Sequence, residues 1–204
     1  MDTHRVTALH LANSIADRWL REGSSLPPCK IPVQFLIDST RDYLRDHCDT
    51  PDYKIAIKQV PGVADELELV RSGVFIGDQY AEIRLRKGLN SCWQRFCIAK
   101  ELIHIVFDRK FEGEHRFTIE QADEVSEAIV YTNIFSNVWT QIPLMKWEKI
   151  GREGGTILLV PKKYREMITM QIPEEDLDAS VLKWAETLKI PAKALDSYLH
   201  PKDG

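Results

Sequence analysis

The chain has 204 residues, of which 44% are hydrophobic and 28% are charged, so it can form one globular domain with a sizeable core. Its formal net charge of -4 excludes a bulk electrostatic basis for nucleic-acid binding, although a local basic patch stays compatible with it. The N-terminus does not open into a long apolar run, and no stretch is apolar enough to span a membrane. We therefore expect a cytoplasmic protein without a signal peptide.

Two amphipathic helices are predicted in the first quarter of the chain. Apolar residues recur at helical spacing over residues 6–22, and glycine and proline end this segment at residues 23–28. The same spacing recurs over residues 32–46, and a polar loop follows at residues 49–52. The first helix and the break after it form a predicted N-terminal helical extension, residues 1–28.

Three strand-like segments follow these helices. Residues 53–60 alternate between apolar and polar side chains and are stopped by a Pro-Gly pair. Residues 74–76 and 81–85 are two short strand-like runs, and Gly77 and Asp78 between them supply turn chemistry. The pattern predicts a β-hairpin within a small antiparallel sheet.

The central helix is predicted over residues 91–108, with its N-cap at Asn90 or Ser91. Apolar side chains cover nearly every face of this segment. A helix that is apolar all round is a buried helix, so its few polar residues require an explanation.

The second half of the chain is predicted to be mainly helical. Residues 118–139 form a long amphipathic segment that ends before Pro143, and residues 151–155 form a flexible glycine-rich loop. Residues 156–160 are a strand or a short buried run. Two short helices lie in the C-terminal portion, residues 172–204, at 174–188 and 192–199.

Cysteines and basic residues indicate no further site. The cysteines show no C-x-x-C pairing and are expected to be reduced, mostly buried thiols: Cys29, Cys48, Cys92 and Cys97. One modest basic group is interpreted as solvated surface: Arg84, Arg86, Lys87 and Arg95.

Three polar residues of the central helix form a recognisable constellation. Lys100 and His104 stand four residues apart and share a face, and Glu101 lies beside them. Two histidines at this spacing would chelate one metal ion, and the glutamate would activate a metal-bound water as general base. The pattern here is K-E-x-x-H, so only the first ligand differs.

The segment around this constellation resembles a known family. Residues 95–107 read R-F-C-I-A-K-E-L-I-H-I-V-F, which is similar to the R-F-T-x-A-H-E-L-G-H-x-x-L segment of ImmA/IrrE-type zinc metallopeptidases. Residues 185–199 resemble the closing A-x-x-F-x-V-S-x-x-A-L-x-x-R-L pattern of the same family. The resemblance implies a single ImmA/IrrE-like domain over residues 1–204. Its expected fold is α+β, a small antiparallel sheet packed on a zincin-like helical core with C-terminal helices.

The resemblance also implies a metal site. In the family, a glutamate from the next helix completes the zinc ligands, so His104 and either Glu127 or Glu124 would bind the metal, with Glu101 as general base. Glu127 and the alanine after it match the family's E-A-N-x-F-A best. Anchoring the family's L-L-M-P end on Pro143 instead would leave no acidic residue at the ligand position.

A lysine at the first ligand position changes the expected chemistry. An ammonium offers no lone pair to a metal, and catalytic zinc usually needs three protein ligands. No cofactor is therefore expected, with zinc as the alternative. The ammonium of Lys100 is predicted to pair with Glu101, Glu124 or Glu127, and His104 to hydrogen-bond to the same cluster.

Two functions follow from these observations. The first is a degenerate, non-catalytic metallopeptidase-like protein that binds a protein partner through a cleft beside the sheet edge. By family analogy the partner would be a repressor or a toxin–antitoxin component, in mobile-element or transcriptional regulation. The second is an active metal-dependent endopeptidase that cleaves such a regulatory protein. Direct nucleic-acid binding through the C-terminal helices is a weaker third prediction, because the net charge is acidic.

Overall fold

The structure is a computed structural model that describes residues 3–22, 30–61, 71–111, 143–172 and 177–200. These residues form seven helices and a three-stranded sheet. The helices are α1 (Thr3–Glu22), α2 (Val33–His47), α3 (Ser91–Lys110), α4 (Pro143–Leu159), α5 (Lys162–Gln171), α6 (Leu177–Leu188) and α7 (Ala192–Leu199). The strands are β1 (Lys54–Val60), β2 (Ser72–Ile76) and β3 (Tyr80–Arg86). The predicted α+β class is confirmed. No described helix is long and apolar enough to cross a membrane.

The sheet has the order β1-β3-β2, and its strands are not all antiparallel. β2 and β3 form the predicted hairpin, whereas β1 pairs with β3 in parallel. The prediction of an antiparallel sheet is therefore wrong for β1. Alternation of apolar and polar residues shows which face of a strand is buried, but it does not show the direction of the strand beside it.

The sheet has one face toward the helices and one toward solvent. In β3, Ala81, Ile83 and Leu85 are buried, while Tyr80 and Arg84, at alternate positions, are exposed. Because side chains alternate across a strand, this pattern places the helices on one side of the sheet only.

One hydrophobic core joins the sheet to the helices. Its fully buried members include one residue from each of five elements, α1, α2, β3, α3 and α4: Leu11, Leu36, Ile83, Leu102 and Leu158. Cys97 is buried with them, and Cys48, Cys92 and Cys97 are free thiols.

Helix α3 lies at the centre of this core, as its apolar pattern predicts. Its N-cap is Asn90, whose side-chain oxygen accepts a hydrogen bond from the backbone N–H of Trp93 at 3.0 Å. From Arg95 to Asp108 every residue except His104 is buried. The polar residues of this stretch must therefore find partners inside the protein.

Helix α4 corrects the interpretation of the glycine-rich segment, because the expected loop at residues 151–155 lies within the helix. Of the two alternatives at residues 156–160, the strand is wrong because residues 156–159 are helical, and the short buried run is confirmed because all five residues are buried. The glycines serve close packing. A Cβ atom on Gly155 would come within 2.8 Å of the backbone nitrogen of Lys100 on α3. A larger residue would hold the two helices apart, so the sequence signal that resembles a loop marks a helix–helix contact.

Pro143 begins α4, and proline is well suited to the first turn of a helix. The predicted helix over residues 118–139 lies outside the described residues.

The C-terminal pair of helices is close to prediction. α7 has the predicted bounds, while the described part of α6 begins at Leu177. α6 ends at Leu188, and the next residue, Lys189, adopts a left-handed φ of 52°. Ile190 N–H donates to the carbonyl of Ala185 at 3.0 Å, as in a Schellman motif.

Arg95 corrects the prediction of a solvated basic group. It is buried, and its Nε donates to the carbonyl of Lys189 at 3.1 Å. Burial lowers the pKa of Arg95 from its ordinary value. The Arg95 side chain therefore joins α3 to the end of α6 instead of contributing to a surface patch.

Candidate functional site: a lysine-centred charge cluster

Lys100 lies between two carboxylates where α3 packs against α4. The residue is only 8% exposed. Its Nζ atom lies 2.9 Å from Oε1 of Glu101, and 3.0 and 3.1 Å from the two carboxylate oxygens of Glu148. The predicted pairing of Lys100 with Glu101 is therefore present. We call Lys100, Glu101, His104 and Glu148 the lysine cluster.

Glu148 is the member of the lysine cluster that the sequence reasoning missed. It belongs to α4, where Gly151 and Gly155 follow it by three and seven residues and so share its helical face. Both glycines would bring a Cβ atom against α3, at His104 and Lys100 respectively. A glutamate in line with two glycines was a usable signal, but it was lost when the glycines were interpreted as a loop.

Ser72 connects the lysine cluster to the sheet. Its hydroxyl donates to Oε1 of Glu101 at 2.7 Å, and Ser72 is the first residue of β2. Glu101 is 2% exposed, and its Oε1 atom accepts from both Lys100 and Ser72. The carboxylate is thus held by partners on its own helix and on β2, and Ser72 is a second contributor that the sequence did not indicate.

His104 faces the same cluster from the next turn of α3. Its Nε2 atom lies 3.5 Å from Oε1 of Glu148 and makes no hydrogen bond to any residue that the structure describes. A Cβ atom on residue 151 would lie 2.5 Å from this nitrogen, so Gly151 leaves the space that the imidazole ring occupies. The predicted hydrogen bond of His104 to the cluster is therefore not formed, although its imidazole lies beside the carboxylate of Glu148.

The electrostatics of the lysine cluster favour its charged form. Burial by itself would lower the pKa of Lys100, but the charges of Glu101 and Glu148 outweigh burial and hold that pKa above its ordinary value. Burial would likewise raise the pKa of Glu148. The ammonium of Lys100, with the nearby imidazole of His104, instead holds it well below its ordinary value. Both partners are therefore ionised at neutral pH.

The described residues do not fit a catalytic zinc ion while Lys100 is in place. An ammonium whose pKa is raised has no lone pair to offer, and its Nζ occupies the point between the carboxylates. Within the described ranges, no group of three or more His, Cys, Asp or Glu side chains is placed to hold a metal ion. Glu124 and Glu127 lie outside the described residues, so their roles as ligands stay predictions.

The arrangement also limits Glu101 as a general base. A base must reach the proton that it abstracts, whereas Oε1 of Glu101 already accepts from an ammonium and a hydroxyl. The lysine cluster has the geometry of a structural contact, in which ion pairs and hydrogen bonds join α3, α4 and β2.

Comparison with known proteins adds no family assignment. No family model matches the chain, and no curated protein matches it.

Proposed function

We propose that this protein is a cytoplasmic, metallopeptidase-like scaffold in which the ammonium of Lys100 takes the place of the metal, and that it acts by binding a protein partner. The observation that carries the proposal is the position of Lys100 Nζ within 3.1 Å of carboxylate oxygens from two helices. A cation at this point pairs with the carboxylates of Glu101 and Glu148. The packing of α3 against α4 therefore needs no metal ion to offset their negative charge.

The edge of the sheet supports the protein-binding half of the proposal. β2 lies at one edge of the described sheet, packs against α3 and contacts the lysine cluster through Ser72. An exposed edge strand can accept an extended segment of a partner as an added strand. The partner would be a repressor or a toxin–antitoxin component, which rests on the family resemblance of the central helix.

The register of the hairpin shows which backbone groups such a partner would use. Gly77 N–H donates to the carbonyl of Tyr80, and Arg86 N–H donates to that of Arg71. Hydrogen-bonded pairs alternate along an antiparallel ladder, so the N–H and C=O of Val74 point away from β3. No described residue pairs with these groups, so within the described part of the sheet they are available to an added strand.

Metal content and hydrolysis test the scaffold. Wild-type protein purified without chelator is expected to contain no stoichiometric zinc by mass spectrometry and to hydrolyse no unfolded protein substrate. Lys100→His is expected to bind zinc, because it adds an imidazole opposite His104 and Glu148. About one zinc per wild-type chain, with hydrolysis abolished by Glu101→Gln, would contradict the scaffold proposal.

Partner capture from the source cells tests the sheet edge. Val74→Pro removes the outward N–H without removing a hydrogen bond to β3, and is expected to abolish retention of the specific partner. Val74→Ala is the matched control, since it shortens the side chain and keeps the N–H. The edge-strand mode fails if every protein retained by the wild type is retained equally by Val74→Pro.

An active metal-dependent endopeptidase is the second candidate function. It is favoured by the proximity of two side chains of metal-binding type. The Nε2 atom of His104 and the Oε1 atom of Glu148 are 3.5 Å apart. This function requires Lys100 to leave the position between the carboxylates, and the metal measurement above distinguishes it from the scaffold.

A further inference from the structure

The solvent side of the sheet carries aromatic rings and basic side chains together. Register and alternation place ten described residues on this side, which we call the outer face: Lys54, Ala56, Lys58, Val60, Gly73, Phe75, Tyr80, Glu82, Arg84 and Arg86. The outer face is opposite to the side that packs against α3 and is separate from the lysine cluster.

Two neighbouring aromatic rings lie open to solvent on the outer face. Phe75 is 51% exposed and Tyr80 is 48% exposed, and their ring centroids are 5.9 Å apart. Both residues sit on regular strands, so the backbone holds the rings in place. Contiguous exposed aromatic surface of this kind marks a binding site more often than scattered apolar residues do.

Basic side chains share the outer face with these rings. Lys54, Lys58 and Arg84 are exposed, Arg86 is half-buried, and Glu82 is the single acidic residue among the ten. Glu82 is already bound by Arg84 at 2.6 Å, a contact that lowers the pKa of its carboxyl group. Four basic residues against one acidic residue leave three positive charges on this face of a chain whose formal net charge is -4.

Small residues leave room beside the rings. Ala56 lies in the same cross-strand row as Glu82 and Phe75, and Gly73 lies in the row of Lys58 and Arg84. Ala56 is exposed, and a Cβ atom added to Gly73 would meet nothing within 4 Å. Planar groups can therefore approach the rings from solvent without displacing a side chain.

We propose that the outer face binds single-stranded nucleic acid. Bases stack on Phe75 and Tyr80, and phosphates contact Lys54, Lys58 and Arg84. Aromatic rings on a sheet surrounded by cations are suited to unpaired bases, whose faces are accessible, and poorly suited to a duplex, whose bases are already stacked. An acidic peptide would use the cations but would leave the two rings without a matching group.

Fluorescence anisotropy of the full chain tests this proposal. The probes are labelled oligo(dT) and oligo(U) of about twelve nucleotides, a length within the range of single sheet modules. Binding is expected in about 50 mM salt and should weaken as salt rises. Phe75→Ala with Tyr80→Ala is expected to weaken binding about tenfold or more, because two stacking contacts are lost. Lys58→Ala is expected to reduce the slope of log affinity against log salt by about 0.7.

Matched variants keep the test decisive. Phe75→Leu with Tyr80→Leu keeps apolar bulk on the strands and removes only the aromatic faces, so it should also lose affinity while its thermal unfolding is unchanged. Met170→Ala, at a residue 85% exposed on α5, should bind as the wild type does. Lys193→Ala, at an exposed lysine of α7, should leave the salt slope unchanged.

Three results would overturn the proposal. The first is no binding of either oligonucleotide in about 50 mM salt. The second is an affinity that the leucine variant leaves unchanged. The third is equal affinity for a polyglutamate peptide of matched charge or for a duplex, which would show a general polyanion surface or a different partner class.

Discussion

The lysine cluster and the outer face use the same residue types in opposite ways. In the cluster, Lys100 is nearly fully buried and lies within 3.1 Å of Glu101 and Glu148. On the outer face, Lys58 and Arg84 are exposed to solvent. A buried charge is costly unless it is paired, whereas an exposed charge is stabilised by water and stays available to a ligand. The comparison teaches that the cluster should determine stability and the outer face should determine binding.

Removing the central cation is expected to give the largest loss of stability. Lys100→Ala leaves the buried carboxylate of Glu101 without its cation and beside the half-buried carboxylate of Glu148, which should lower the free energy of unfolding by about 3–5 kcal/mol. Urea unfolding at neutral pH measures the change.

Lys100→Met with Glu101→Gln is the matched variant, because it removes the buried carboxylate along with the cation. It should recover a large part of the loss. An unchanged unfolding midpoint for Lys100→Ala would show that the cluster does not support the packing of α3 on α4.

A methyl group at the helix contact is expected to give the next largest effect. Gly155→Ala places a Cβ atom 2.8 Å from the backbone of Lys100 and should destabilise the protein by about 1–3 kcal/mol. The sign is diagnostic, because the same substitution at an exposed helix position stabilises a protein by up to about 1 kcal/mol. Gly73→Ala on the open outer face is the control and should change stability by no more than about 0.5 kcal/mol.

Acid should weaken the cluster and leave the outer face intact. The folded-state pKa of Glu148 is below its ordinary value of 4.5, so its stabilising contribution is present above that value and is lost as pH falls toward the folded-state pKa. Wild type should therefore lose more stability than Glu148→Gln between neutral pH and acid, as measured by urea midpoints. Parallel pH profiles for the two proteins would contradict the lowered pKa.

The base side of the profile has the opposite sign. Because the pKa of Lys100 is raised above 10.5, its contribution is fully present below that value and is lost only as pH rises through the folded-state pKa. The two pKa shifts together predict that the cluster's contribution to the free energy of unfolding is constant between about pH 4.5 and pH 10.5.

Substitutions on the outer face should have the smallest effect on stability. Phe75→Ala and Lys58→Ala remove exposed side chains and are expected to change the free energy of unfolding by about 0.5 kcal/mol or less. Phe107→Ala, at a buried ring of α3, is the contrasting variant and should cost about 3–5 kcal/mol. A large loss for Phe75→Ala would mean that the ring supports the fold and would weaken the distinction between the two regions.

Local sequence features predicted the elements that position the site. The apolar coverage of α3, its cap at Asn90, and the hairpin turn at Gly77 and Asp78 all depend on residues close together in the chain. The pairing of Lys100 with Glu101 was also predicted, since the two residues are adjacent on one buried helix. Each of these rests on short-range geometry, which a sequence pattern carries directly.

Features that depend on a distant segment were missed. Glu148 is 48 residues from Lys100, and it reaches Nζ only because glycines let α4 approach α3 closely. The same glycines indicate a loop when the facing helix is unknown. The parallel direction of β1, the burial of Arg95 against Lys189 and the contact of Ser72 with Glu101 are long-range in the same sense.

The sequence by itself determined the α+β class, the buried central helix and the K-E-x-x-H pattern that this helix carries. Tertiary structure decided which carboxylate meets that lysine and which charges stay exposed. The physical reason is that ionised groups are neutralised by whatever lies within a few ångströms in space. Helix packing and strand register set that distance, and spacing along the chain does not.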